Sequence, residues 1–150
     1  MTYSLQPGMP LAADGEAMRR VLTQAGVRKT DQIWVTGPAG LTALVWLNRE
    51  GYNDACYAHA NRIAVMSPAD ALVIPHACKA AEIVDMLRGA TCLRDGGELV
   101  VQAASNLSAA PGDVPALLED LGFHVQGRVL EKGRAICIAR RDEGGHRLAA

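Results

Sequence analysis

The chain has 150 residues and a formal net charge of −1. That size suits a single domain with a three-layer core, and the near-neutral balance offers no electrostatic footprint for nucleic acid or an anionic membrane surface. Hydrophobic residues are 49% and charged residues 21%, which excludes disorder as the default, and with aromatics at only 4% the core must be aliphatic.

Residues 1–15, with Pro7, Gly8 and Pro10, read as a leader lying over the domain. They lack the basic segment and apolar run of a signal peptide, and no stretch approaches the ~20 apolar residues of a membrane span, so a cytoplasmic location is expected. Met18, Val21, Leu22 and Ala25 then fall on one helical face closed by Gly26. Ile33 to Thr36 reads as a short strand, Gly37 to Gly40 as a tight loop, and Leu41, Leu44 and Val45 as the apolar stripe of a helix ending at Gly51. Trp46 and Leu47 widen that stripe. Further strands are expected at Ala55 to His59, Ala71 to Pro75 and Glu98 to Ala103, near-continuous apolar runs of the kind covered by helices on both faces.

Helical spacing recurs at Ala80, Ile83, Val84 and Leu87, and at Val114, Leu117, Leu118 and Leu121, the last with Asp113 as N-cap and Gly122 as stop. Phe123 to Leu130 and Ala135 to Arg140, joined by a turn around Lys132-Gly133, read as a hairpin. Residues 142–150, with Gly144-Gly145, read as a mobile tail, leaving one α/β domain over 16–141. Cys56, Cys78, Cys92 and Cys137 show no CxxC spacing, so reduced core thiols are expected.

This order of elements resembles the class I S-adenosylmethionine-dependent methyltransferase family. Three local features carry the likeness: the strand-loop-helix from Ile33 to Gly51, the run Leu93-Arg94-Asp95-Gly96-Gly97-Glu98-Leu99-Val100-Val101, and the junction Leu117-Leu118-Glu119-Asp120-Leu121-Gly122-Phe123-His124-Val125. The resemblance implies an α/β, three-layer Rossmann-like sheet, mostly parallel, with a C-terminal antiparallel hairpin. It also implies S-adenosylmethionine as cofactor, the loop of Thr36, Gly37, Ala39 and Gly40 lying against its methionine end. The family's acidic residue before that loop has no counterpart at Trp34 to Thr36. Where the family carries an acidic residue for the ribose, this chain offers His59 and Asn61.

Ligands of doubly wound sheets bind outside the carboxyl ends of the strands. The loop after Thr36, His59 to Asn61, and Pro75-His76 are expected there. His76 is the candidate base toward a methyl acceptor, since imidazole titrates in the useful range; a strand-end histidine bonded to a loop is the plainer alternative. Gly40→Val is expected to abolish cofactor binding by blocking close backbone approach. The interval from His59 to Ala71 is short, with Arg62 to Met66 as a rudimentary strand, so one edge of the sheet reads as trimmed.

His59, His76 and Cys78 match no zinc spacing, and neither a Gly-x-Ser-x-Gly elbow nor a Gly-Lys-Ser/Thr loop occurs, so metal, serine-hydrolase and P-loop chemistry are not expected. Three functions remain. One is a methyltransferase acting on a small molecule or a partner protein. The second is a non-catalytic interaction or assembly module, homodimeric across the trimmed edge. The third is a dinucleotide-binding domain, from the superficial likeness of Thr36-Gly37-Pro38-Ala39-Gly40 to a reductase loop.

Overall fold

The computed structural model describes residues 15–37, 39–59, 68–88, 93–108, 114–131 and 134–141. Residues 1–14 of the expected leader, Asn61, the Arg62 to Met66 run, Asp113 and the tail lie outside these residues, while Gly15, expected in the leader, begins a helix. The chain forms helix α1 (Gly15–Ala25), strand β1 (Ile33–Val35), α2 (Gly40–Arg49), β2 (Ala55–Tyr57), β3 (Ala69–Lys79), α3 (Ala80–Arg88), β4 (Leu93–Ser108), α4 (Val114–Asp120), β5 (Phe123–Glu131) and β6 (Arg134–Arg141). The six strands make one sheet in the order β2-β1-β3-β4-β6-β5. The β2, β1, β3 and β4 neighbours run parallel. β6 is antiparallel to both β4 and β5. This is the expected mixed sheet, and among the described residues β2 is its outer strand at one side.

The aliphatic composition builds two cores, one on each face of the sheet. Met18, Val21, Leu22 and Ala25 of α1 pack with Ala43 and Leu47 of α2 against Ile33, Val35, Val73, Val100, Ile136 and Ile138. On the other face Ile83, Met86 and Leu87 of α3 and Leu118 of α4 cover Trp34, Leu72, Ile74, Leu99 and Val101. Central strands buried on both faces explain the uninterrupted apolar runs in the sequence.

Helix α2 turns differently from its expected stripe. Its buried residues are Gly40, Ala43 and Leu47, whereas Leu41 is 62% and Val45 51% exposed. Small residues face the sheet because the helix lies close to it.

Strands β3 and β4 also run further than expected. Leu93 pairs with Ala69, and the register slips before Glu98 meets Ala71. The slip needs the glycine pair: Gly96 has φ +77, and a Cβ on Gly97 would lie 2.7 Å from Leu93 Cδ1 and 2.9 Å from the Arg94 carbonyl oxygen. Such an irregularity opens one strand without ending it.

Carboxylates fasten the amino-terminal end of the parallel sheet. Asp70 accepts from the Gln32 backbone N–H at 2.9 Å and from Arg94 Nε at 2.7 Å. Those two bonds, the backbone one first, hold its carboxyl below the ordinary range. Asp31 accepts from the Arg28 N–H at 2.9 Å.

Glu98 is buried opposite Arg140 on β6, accepts from its Nε at 2.8 Å, and is pushed upward by burial against the pull of that guanidinium. A carboxyl raised in the folded state binds its proton more tightly there than in the unfolded chain. Its ionised form therefore costs stability at neutral pH, and the cost is relieved as pH falls toward the ordinary value. Urea unfolding from pH 7 down to about pH 4.5 should show the wild type gaining stability relative to Glu98→Gln; a constant difference between the two would exclude this assignment.

Candidate functional site

Strand order reverses between β1 and β3, and the crevice at their carboxyl ends is the switch point of the sheet. β1 stops at Val35 because its partner β2 stops at Tyr57. Two further bonds tie the chains leaving them: the Thr36 N–H donates to the Val73 carbonyl at 3.1 Å, and the Ala58 N–H to the Val35 carbonyl at 2.9 Å. These bonds bring Thr36 and the residues just after β2 to one end of the sheet.

The loop then turns tightly into α2. Gly37 has φ +104, a left-handed conformation that L side chains avoid, and the Gly40 N–H donates to its carbonyl at 3.0 Å. Ala39 is the N-cap of α2 and supplies no side-chain bond, so the helix N-terminus keeps donors for another partner. The Thr36 side chain is fully buried, and its Oγ1 has no hydrogen-bond partner.

The two glycines serve the fold before any ligand. A Cβ on Gly40 would stand 2.6 Å and 2.7 Å from Tyr57 ring carbons, so the ring already occupies the space this glycine leaves free. Gly40 therefore acts in close helix–strand packing and Gly37 in the tight turn. At the middle of the loop, where nucleotide-binding loops place a glycine for backbone approach, this chain has Ala39. That packing role of Gly40 holds with or without a ligand against the loop.

His59 is exposed just beyond β2 and meets the Tyr57 ring edge-to-face, with centroids 5.3 Å apart at 79°. No carboxylate stands at the end of β2 among the described residues; Tyr57, Ala58 and His59 occupy it.

Pro75 and His76 are not at a strand end as expected. β3 continues to Lys79 because β4 goes on pairing with it, Ala77 with Ala103 and Lys79 with Ser108. The two residues sit instead at a register slip between Ile74 and Ala77, where a proline without an N–H breaks no ladder bond. They nevertheless flank the crevice, since β1 has ended alongside. The His76 carbonyl oxygen would be 3.7 Å from a Cβ on Gly37, so the structure does bring the glycine loop and His76 together.

Three residues at this end were missed in the sequence: Tyr57, Gln102 and Glu82. Glu82 is a half-buried carboxylate in the first turn of α3. Its signal was its place directly after a strand, where a helix N-terminus favours negative charge. Among the described residues no group of three His, Cys, Asp or Glu is placed to hold a metal, and no helix is long and apolar enough to cross a membrane.

No protein-family model matches this sequence, and no curated protein matches it. Solved structures do match. Fibrillarin of Methanococcus jannaschii, a pre-rRNA processing protein, aligns with 78% of this chain and 69% of its own at 14% identity and a TM-score of 0.56. Haemonchus contortus phosphoethanolamine N-methyltransferase 2, in complex with phosphomonomethylethanolamine and S-adenosylhomocysteine, aligns with 91% of this chain but 39% of its own, at 12% identity and a TM-score of 0.62. Magnesium protoporphyrin IX methyltransferase of Synechocystis, with bound S-adenosylmethionine, aligns with 87% of this chain and 79% of its own, at 15% identity and a TM-score of 0.58.

Proposed function

We propose, from the class I methyltransferase-like fold that this chain adopts, that its crevice takes S-adenosylmethionine and directs its methyl group to a small-molecule or protein acceptor. The observation that carries this reading is the Thr36 hydroxyl, fully buried and unpartnered beside an α2 N-terminus without a side-chain cap. An unmet buried polar group costs about 1–3 kcal/mol, a cost that a bound ligand removes. Thr36, Gly37, Ala39 and Gly40 would hold the methionine end, and His59 and Asn61 the ribose side, without the charge assistance of a carboxylate. Pro75 and His76 would border the acceptor.

The cofactor, when bound, supplies an electrophilic methyl on a sulfonium. The protein's own part is alignment and exclusion of water. His76 would be the group that accepts the proton of an N–H or O–H acceptor.

A second reading is favoured by a separate observation. Tyr57 fills the space over Gly40, no carboxylate faces the ribose position among the described residues, and α2 exposes Leu41 and Val45. These features suit a non-catalytic assembly module that self-associates or docks on a partner protein.

Thermal-shift titrations with S-adenosylmethionine, S-adenosylhomocysteine and NADP separate the readings. At ~100 times its dissociation constant a ligand adds about 2.7 kcal/mol, several degrees of Tm for a domain of this size. The two adenosyl compounds are expected to raise Tm in the wild type. Thr36→Val should lose that response while its ligand-free Tm stays equal or rises. Silence with all three would favour the assembly module, and a response to NADP alone the dinucleotide-binding domain.

A further inference from the structure

Among the described residues three buried side-chain atoms have no hydrogen-bond partner: Thr36 Oγ1, Glu98 Oε1 and Gln102 Oε1. Glu98 is accounted for by its other oxygen, which Arg140 engages. Thr36 belongs to the glycine loop. Gln102 is 2% exposed and has neither a charge partner nor a backbone partner for its carbonyl oxygen. A buried carbonyl left in that state costs about 1–3 kcal/mol, and a valine or leucine in a strand of this kind would avoid the cost.

Its position gives the orphan a meaning. Val35 pairs with Val73 and Val73 with Val100. Two residues further along, Gly37, Pro75 and Gln102 reach the same level at the carboxyl end of the sheet. That level coincides with the register slip of β3 around Pro75 and His76. Gln102 lies opposite Ile136 of β6, and directly opposed residues share a face. Ile136 and Val100 belong to the core under α1 and α2, so Gln102 stands on that side. Thr36 alternates with Trp34, which belongs to the core under α3. The two unmet groups thus lie on opposite faces, Thr36 toward α3 and Gln102 toward α1 and α2, and Gln102 on β4 is two strands across from β1, which leads into the glycine loop.

We propose that Gln102 is the recognition residue for the methyl acceptor, its side-chain carbonyl taking a hydrogen bond from an N–H or O–H of the molecule bound at the carboxyl ends of β3 and β4. This rests on the methyltransferase reading of the crevice, and the chemistry is consistent with it. A nitrogen or oxygen acceptor carries a hydrogen before methylation and has one fewer afterwards. A carbonyl with no other partner then binds the unmethylated molecule better than the methylated one and assists product release. As a neutral amide Gln102 moves no proton; it is a positioning residue.

The probe is a matched pair of small lactams, 2-pyrrolidone and N-methyl-2-pyrrolidone, which differ in a single N–H. They are titrated into the full 15N-labelled chain while the Gln102 side-chain amide is followed by NMR, the cross-peak being assigned by its loss in Gln102→Met. The expected result is a saturable shift of that cross-peak with 2-pyrrolidone and binding about fivefold weaker for its N-methyl analogue, one net hydrogen bond. Binding of 2-pyrrolidone, followed through backbone amides, should weaken to the same degree in Gln102→Met. Equal response to both lactams, no response to either, or unchanged 2-pyrrolidone binding in Gln102→Met would overturn the proposal, leaving the carbonyl to an internal water. The thermal response to S-adenosylhomocysteine should persist in Gln102→Met. Its absence in the wild type would count against the methyltransferase reading instead, so the two failures are distinguishable.

Discussion

Gly40→Val should lower the stability of the folded chain by about 1–3 kcal/mol, the usual cost of forcing side-chain atoms into a filled space. The first added carbon would stand 2.6 Å from a Tyr57 ring carbon and 3.4 Å from Val35 Cγ1, so either the ring or the first turn of α2 must move. For a domain of this length that corresponds to a Tm loss of roughly 2–10 °C. Loss of ligand binding in this variant would therefore reveal nothing about backbone approach to a cofactor. The decisive measurement is a double-mutant cycle with Tyr57→Ala. If the ring is the obstacle, Gly40→Val should cost at least about 1 kcal/mol less in the Tyr57→Ala background. Additive effects of the two changes would mean that the valine is excluded by the helix backbone alone.

Leu47→Ala is expected to cost about 2–5 kcal/mol, because Leu47 is fully buried in the core beneath α1 and α2 and its truncation leaves a cavity. Leu41→Ala, on the same helix, should change stability by no more than about 0.5 kcal/mol, since that side chain is 62% exposed. Chemical denaturation of the two variants under identical conditions measures the contrast directly. Similar losses from both would mean that Leu41 is covered in solution, as a self-associating protein would cover it, and light scattering on the wild type would show the larger species.

That pair of leucines also shows where the sequence was readable. Helices α1, α3 and α4 announce their buried faces because each has one apolar stripe against polar neighbours. In α2, apolar residues occur all round, at Leu41, Leu44, Val45, Trp46 and Leu47, and the large ones outvote the small ones. The true contact face is marked by Gly40 and Ala43, whose smallness is the signal, since a helix that approaches a sheet closely needs small residues there. Strand ends misled for a related reason. Pro75 reads as a stop, and Gly96-Gly97 as an entry turn, yet both are irregularities within pairings that continue. The crevice was legible as a place, because switch points follow from element order. Its chemistry was less so: Tyr57 and Gln102 matter through neighbours distant in the chain, which spacing alone does not reveal.

The strand order has a consequence for how the molecule assembles. β5 and β6 form a local antiparallel hairpin, Glu131 pairing with Arg134, so these two close with little loss of loop entropy. β1 and β2, three residues each, contribute few ladder bonds of their own. The crevice thus borders the flank of the sheet with the shortest strands, where local opening breaks the fewest ladder bonds. Local unzipping of that flank, with the C-terminal hairpin still closed, would give a bulky guest a route to groups that are sealed when the sheet is complete.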